Sequence, residues 1–283
     1  MNDNTVDVIY DFSRNVATLH QDEVKSSAFA KNQITLHPIP MYFLDPVSKC
    51  IMRETLVITS DDITHDSQAV SAFRKAAVKH LIEKRSVSLK NLIEWSDGCE
   101  SQYKGVYAFK GTFEHAKLLG IRITSCFFRS EHGKEESDGE TGVVKTKLQE
   151  FILGSGAVVK TATDIKVFGE QKLSGTSLSH FKHIGHTIKT QRTFIVVNDI
   201  KRQIRAHAYY PIAGTRVKLH CMETTSDTSA AKFRNLACFC QVCHNGDPGK
   251  CINAEIVQAW QLRKFVIKNC ILFILRQMHI SFL

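Results

Sequence analysis

Three stretches near the N-terminus read as strands, the first by alternation of apolar and polar residues, the period of a half-buried strand. Residues 6–15 (VDVIYDFSRN) predict a strand that ends near Asp11. Residues 33–43 predict a second, with Pro38 and Pro40 pointing to an irregular or edge portion. Residues 50–59 (CIMRETLVIT) predict a third, and three strands in close succession favour an antiparallel meander. The period then changes. From Asp66 to Glu83, Ala69, Val70, Phe73, Ala76, Ala77, Leu81 and Ile82 recur at helical spacing behind the helix-start residues Ser60, Asp61 and Asp62. Residues 89–95 (LKNLIEW) read as a short strand ending at the turn Ser96-Asp97-Gly98-Cys99, and residues 121–129 (IRITSCFFR) as another. A helix is expected within 113–119, and a second over 140–153 that stops at Gly154 and Gly156. The order of strands and helices predicts an α/β fold. Residues 157–258 look more β-rich and less regular, with strands expected at 192–200 and 202–210.

Charge changes this picture more than composition does. The chain of 283 residues carries 37 Lys and Arg against 28 Asp and Glu. Residues 1–156 are close to balanced, whereas residues 157–220 hold 11 basic residues against 3 acidic ones. Lys160, Lys166, Lys189, Lys201, Arg202 and Arg205 lie in that segment, and Lys134 precedes it. A concentrated basic stretch beside an acid-bearing domain suits binding to a phosphate backbone. Nine cysteines are too few for a disulfide-stapled secreted scaffold, and no basic-then-apolar leader opens the sequence. Reduced thiols in the cytosol or nucleus are therefore expected. The tail 262–283 is rich in Ile, Leu and Phe, but its longest unbroken apolar run is the six residues 270–275. A spanning helix needs about 20. A C-terminal docking helix and no membrane association are expected, and a gene-model artefact is the alternative for residues 259–283.

Three acidic positions fall at element ends: Asp11, Asp97, and Asp138 or Glu140. Phosphodiester chemistry needs an activated oxygen nucleophile and a stabilised leaving oxygen, which a pair of divalent ions supplies. Magnesium, or manganese in its place, prefers hard oxygen ligands, so carboxylates are its natural holders. The scheme requires the strand before Asp97 to pair beside the strand before Asp11, with the third acid reaching in from a helix. Each acid also has a plain reading as a turn or capping residue. The loop His132-Gly133-Lys134 adds a proton donor and a cation near the third acid.

The stretches DFSRNV from Asp11, HQDEVKSSAFAKNQITLHP from His20, WSDGCESQYKG from Trp95, FFRSEHGKEESDGETGVVKTK from Phe127 and RNLACFCQVC from Arg234 carry a resemblance. The chain resembles a family of transposase-derived proteins found in many copies in animal genomes, similar in turn to DNA transposases with a ribonuclease H-like core. That resemblance implies a ribonuclease H-like mixed sheet flanked by helices over residues 1–156. It implies divalent-metal-dependent cutting and joining of DNA in the nucleus. It places Asp11 and Asp97 as the first two acids and the third in Ser137-Asp138-Gly139-Glu140, with Asp138 favoured. The chain departs from the family at Arg14, where the family usually has Glu, and at Glu135-Glu136, where it often has Gly-Pro.

Cys238, Cys240, Cys243 and Cys251 form C-x-C-x2-C-x7-C, enough thiolates to close a tetrahedral zinc site as a knuckle within a basic β-rich extension over 157–258. Free buried thiols are the alternative. The resulting expectation is a DNA-acting, transposase-derived enzyme, compatible with a homo-oligomer. Its rivals are a catalytically inactive nucleic-acid-binding relic and a ribonuclease or exonuclease on the same core.

Overall fold

In the computed structural model, residues 4–13, 15–17, 33–128, 135–181, 186–215, 217–244 and 247–268 are described. Strand β1 (Thr5–Tyr10) buries Val6, Val8 and Tyr10 on one face. The short β2 (Val16–Ala17) pairs with β3 (Gln33–Leu44), and β3 pairs antiparallel with β4 (Ile51–Ser60) over ten registered positions. Pro38 and Pro40 lie inside β3 rather than at an irregular edge. Proline removes a ladder donor, yet β3 remains paired on both sides, with β1 and with β4.

Helix α1 (Ser67–Glu83) starts where the pattern predicts it. Its N-cap Asp66 accepts from the backbone N–H groups of Gln68 and Ala69, satisfying donors that the first helical turn leaves open. Next come β5 (Asn91–Ser96), a π-helical turn (Glu100–Lys104), α2 (Val106–Leu119), β6 (Arg122–Phe127), α3 (Glu135–Ser155) and α4 (Ala162–Lys172). The chain continues through β7 (Ser177–Phe181), β8 (His186–Val196), β9 (Cys221–Glu223), β10 (Ala230–Arg234), α5 (Gln241–His244), α6 (Ala254–Val257) and β11 (Gln261–Lys264).

One mixed sheet takes the order β11-β10-β9-β6-β5-β1-β3-β4-β8-β7. Strands β1, β5 and β6 are parallel to one another, and β3 runs antiparallel to β1. Helices cover both faces. In β4, Leu56 and Ile58 join the core that holds Phe73 of α1 and Phe109 and Phe113 of α2. Val57 between them joins a second core with Val144, Leu148 and Ile152 of α3, Ile165 and Phe168 of α4, and Phe194 of β8. Alternation along one strand feeding two cores is what a sheet covered on both sides requires.

The structure differs from expectation beyond residue 156. Strand β8 pairs in parallel with β4 across nine positions, and β9 extends the opposite edge through β6. The described residues of 157–268 thus complete the sheet of the N-terminal part at both edges and, among them, form no separate β-rich extension. The boundary at 156 followed a change in charge, and charge reports the surface rather than strand pairing. Residues 162–172 are helical, capped by a Thr161–Asp164 capping box. Residues 202–210 form no strand beyond a single bridge at Tyr209. Of the expected C-terminal helix, 261–264 is a strand and 269–283 lie outside the described residues.

Glu54 ties β4 to its neighbours. Its buried carboxylate meets His80 Nε2 at 3.0 Å, accepts from Arg85 Nε at 2.8 Å and accepts from the Thr193 hydroxyl at 2.6 Å. Burial alone would raise its pKa, but the hydrogen bonds from His80, Arg85 and Thr193 outweigh it and hold the group at about 2. A depressed carboxylate stabilises the fold above its unfolded pKa, and that contribution disappears as pH falls through the folded value. The stability gap between the wild type and Glu54→Gln is therefore expected to be widest above about pH 5 and to narrow toward pH 2, read from urea midpoints across that range.

Candidate functional site

Strand pairing brings the first two acids together. In the parallel ladder Tyr10 is registered with Ser96, so Asp11 and Asp97 leave adjacent strand ends side by side. Both line a cavity of about 570 Å³, with Phe12, Ser13, Asn15, His65, Cys99 and Gln102 among its other walls. It lies at the C-terminal end of parallel strands, where open α/β sheets commonly bind ligands.

Local structure aims Asp97. Its carboxylate accepts from the Cys99 backbone N–H at 3.0 Å, closing a tight turn after β5. The π-helical turn follows at once, a distortion often found at functional sites. It closes because residue 105 is glycine: a Cβ there would run into the Glu100 carbonyl oxygen. The turn carries the buried Tyr103 toward the acids. Burial pushes the Tyr103 phenol well above its ordinary pKa, and the negative charges of Asp11 and Asp97 add to the rise.

The third acid does not join them. Glu140 is buried, but it accepts from Arg53 at 2.9 Å and from Arg192 at 2.7 Å. Burial opposes ionisation there, and the two guanidinium groups overcome it and keep the carboxylate charged. Glu136 accepts from the Tyr42 hydroxyl at 2.6 Å. Tyr42 is registered with Asp7, well down β1 from Asp11. The start of α3 therefore sits near Arg53 and Tyr42, below the cavity. Asp138 is exposed, and neither Asp138 nor Glu140 lines the cavity. The geometry brings neither expected position of the third acid to the cavity: α3 begins at Glu135, five residues before the expected start, and Glu136 and Glu140 meet arginines of β4 and β8. His132 and Lys134 lie outside the described residues.

The basic residues scatter. Lys166 pairs with Glu170 at 2.9 Å, and Lys201 lies 3.8 Å from Asp199. Arg202 is held by Asp62 and Asp66, and Arg205 stacks on the Tyr107 ring at 3.7 Å. Lys160 is exposed and Lys189 is half-buried on β8. Several of these cations are thus committed to intramolecular partners, which a count of charges along the chain does not reveal.

The cysteine spacing does close. The sulfurs of Cys238, Cys240, Cys243 and Cys251 all lie within 4.8 Å of one another, and the Cys238–Cys251 and Cys240–Cys251 separations are both 3.7 Å. A tetrahedron of zinc–sulfur bonds near 2.3 Å places sulfurs about 3.8 Å apart. The four cysteines can hold a metal ion. Among the described residues, no other group of three or more His, Cys, Asp or Glu converges in this way. Arg234 of β10 donates to the Cys238 carbonyl at 3.1 Å and stacks on Trp260, tying the cluster to the sheet edge. Cys221 stands apart from the cluster, beside Cys126 at 4.0 Å.

A family model described as "Domain of unknown function (DUF8701)" matches residues 1–225. The chain belongs to the DUF8701 family. No curated protein and no solved structure matches it. The DUF8701 match spans both aspartates and every residue of the cavity wall but leaves out the cysteine cluster. No helix among the described residues is long and apolar enough to cross a membrane.

The sequence pattern did not single out His65, which lines the same cavity as the aspartates. The available signal was weak: a histidine between a strand end and an N-cap, far in sequence from either acid.

Proposed function

We propose that this chain carries out divalent-metal-dependent phosphodiester cleavage or strand transfer on DNA, on a ribonuclease H-like core derived from a transposase and working in the nucleus. The observation that carries the reading is the register of Tyr10 with Ser96, which sets two aspartates at neighbouring strand ends in one cavity. Pairing of the fifth strand beside the first is what the two-acid scheme demands of such a core.

The donors suit magnesium. Asp11 and Asp97 offer hard oxygens, and Mg²⁺ is commonly bound by one or two carboxylates together with water and substrate phosphate. Bound there, the ion would acidify water and neutralise charge building on the phosphate. The chain's own part is to hold Asp97 in the turn closed by Cys99 N–H and to back both acids with Phe12 and Tyr103. Exposed Lys160 and Lys201 are the candidates for backbone contacts, which position DNA without reading its sequence.

The deciding experiment is magnesium-dependent nicking of supercoiled plasmid, run beside an RNA–DNA hybrid and a chelator control. Nicking that needs the metal supports the reading, and preference for the hybrid would move it to a ribonuclease. One observation favours a second reading, a relic that binds nucleic acid without turnover: Glu140 is held by Arg53 and Arg192 rather than offered to the cavity. Salt-sensitive binding with no nicking would select it.

For the cysteine cluster we propose zinc in a structural role, because four thiolates leave no open position for chemistry. Purified protein is expected to carry about one zinc per chain by elemental analysis, and Cys243→Ser to lose most of it. A stoichiometry near zero in protein prepared under reducing conditions would leave four free thiols instead.

A further inference from the structure

The segment Thr64-His65-Asp66 bridges β4 and α1, and its backbone is held on both sides. Asp66 caps α1, while Arg202 binds Asp62 and Asp66 and donates to the Thr64 carbonyl at 3.1 Å. The His65 ring stacks on Phe12 with centroids 4.3 Å apart, and Phe12 directly follows Asp11. This clamp fixes the imidazole against the wall of the acidic cavity.

The hydrogen bonds then choose its tautomer. His65 Nε2 lies 3.1 Å from the Thr35 hydroxyl. That hydroxyl has one proton and gives it to an oxygen, the Asp62 carbonyl at 2.8 Å with Asn15 Oδ1 farther away at 3.4 Å. Thr35 can therefore only accept from His65, so Nε2 carries the ring hydrogen and Nδ1 keeps its lone pair. Nδ1 has no hydrogen-bond partner among the described residues.

We propose that His65 is a catalytic base of this site, taking a proton at Nδ1 from the attacking water. The proposal rests on the phosphodiesterase reading above. In the step, the water oxygen bonds to phosphorus and its proton passes to Nδ1. The bond from phosphorus to the leaving 3′ oxygen breaks, and that oxygen takes a proton from solvent. The charged and titratable groups around the ring are Asp62, Asp66 and Arg202 on its own side, Asp11 and Asp97 in the shared cavity lining, and His37, buried against the same Phe12 ring with centroids 4.3 Å apart. Burial lowers the His65 pKa and the Asp62 charge opposes it in part, so the neutral ring that can accept a proton is favoured. His37 is lowered to about 3, first by burial, and brings no positive charge.

The test compares wild type, His65→Ala and Asp97→Ala in magnesium-dependent plasmid nicking, with and without added imidazole. His65→Ala is expected to lose about 100-fold or more, the usual scale for a general base, and to recover about tenfold with imidazole, whereas Asp97→Ala is not rescued. Nitrogen NMR on histidine-labelled wild type gives a readout free of activity: His65 is expected as the Nε2–H tautomer at pH 7.5. Wild-type nicking with undiminished His65→Ala overturns the assignment and leaves the nuclease reading standing. An Nδ1–H tautomer overturns it even if the variant fails to fold. A wild type that does not nick overturns both.

Discussion

Asp97→Ala is expected to lower magnesium-dependent plasmid nicking by roughly a thousandfold, the scale on which removal of one preorganised electrostatic group acts. The effect should be on chemistry rather than stability, because Asp97 is partly exposed and follows the end of β5. Two controls make the result specific. Asp138→Ala changes an exposed carboxylate outside the cavity and is expected to nick like wild type. Glu140→Gln removes charge from a buried contact with Arg53 and Arg192, so it should lower the denaturation midpoint while the folded protein still cuts. If Asp138→Ala abolished nicking instead, the third acid of the family pattern would be working after all, through an arrangement of α3 unlike the one described.

The largest expected effect on stability comes from β5 itself, three residues before Asp97. Glu94 and Arg74 form a buried bidentate pair between β5 and α1, with side-chain exposures of 3% and 6%. The Ser125 hydroxyl completes the carboxylate at 3.3 Å from β6. Glu94→Ala leaves the Arg74 guanidinium inside the protein without its counter-charge, which costs about 3–5 kcal/mol. The double variant Arg74→Met, Glu94→Leu removes both charges and fills the space with apolar atoms, and should recover most of that loss. Urea titrations of the three proteins measure both terms. A loss below about 1 kcal/mol for Glu94→Ala would mean that water reaches Arg74 in the variant. Because β5 delivers Asp97, this pair also anchors the strand on which the proposed chemistry depends.

Local features could be read from residue order. Alternation in 6–10 marks a strand because side chains on a strand alternate between faces, the apolar-rich runs 33–44 and 51–60 mark strands buried on both faces, and the spacing of 69–82 marks α1 because its apolar stripe must meet a sheet. The cysteine cluster was equally legible, since its ligands span fourteen residues and short loops close at little cost. Asp11 and Asp97 could be picked out as acids at strand ends, but their meeting depends on β1 lying beside β5. That pairing joins segments some ninety residues apart, and nothing in either segment names its partner. The same holds for β8 against β4, which merged the basic segment into the sheet, and for Glu140, drawn away by arginines from two other strands. His65 is the clearest case. Its place at the cavity and its tautomer follow from Thr35, Asp62 and Arg202, which come together only when β3, β4 and the loop after β8 are packed. Periodicity is a property of neighbours along the chain, whereas a site is a property of neighbours across it, and folding alone supplies the second.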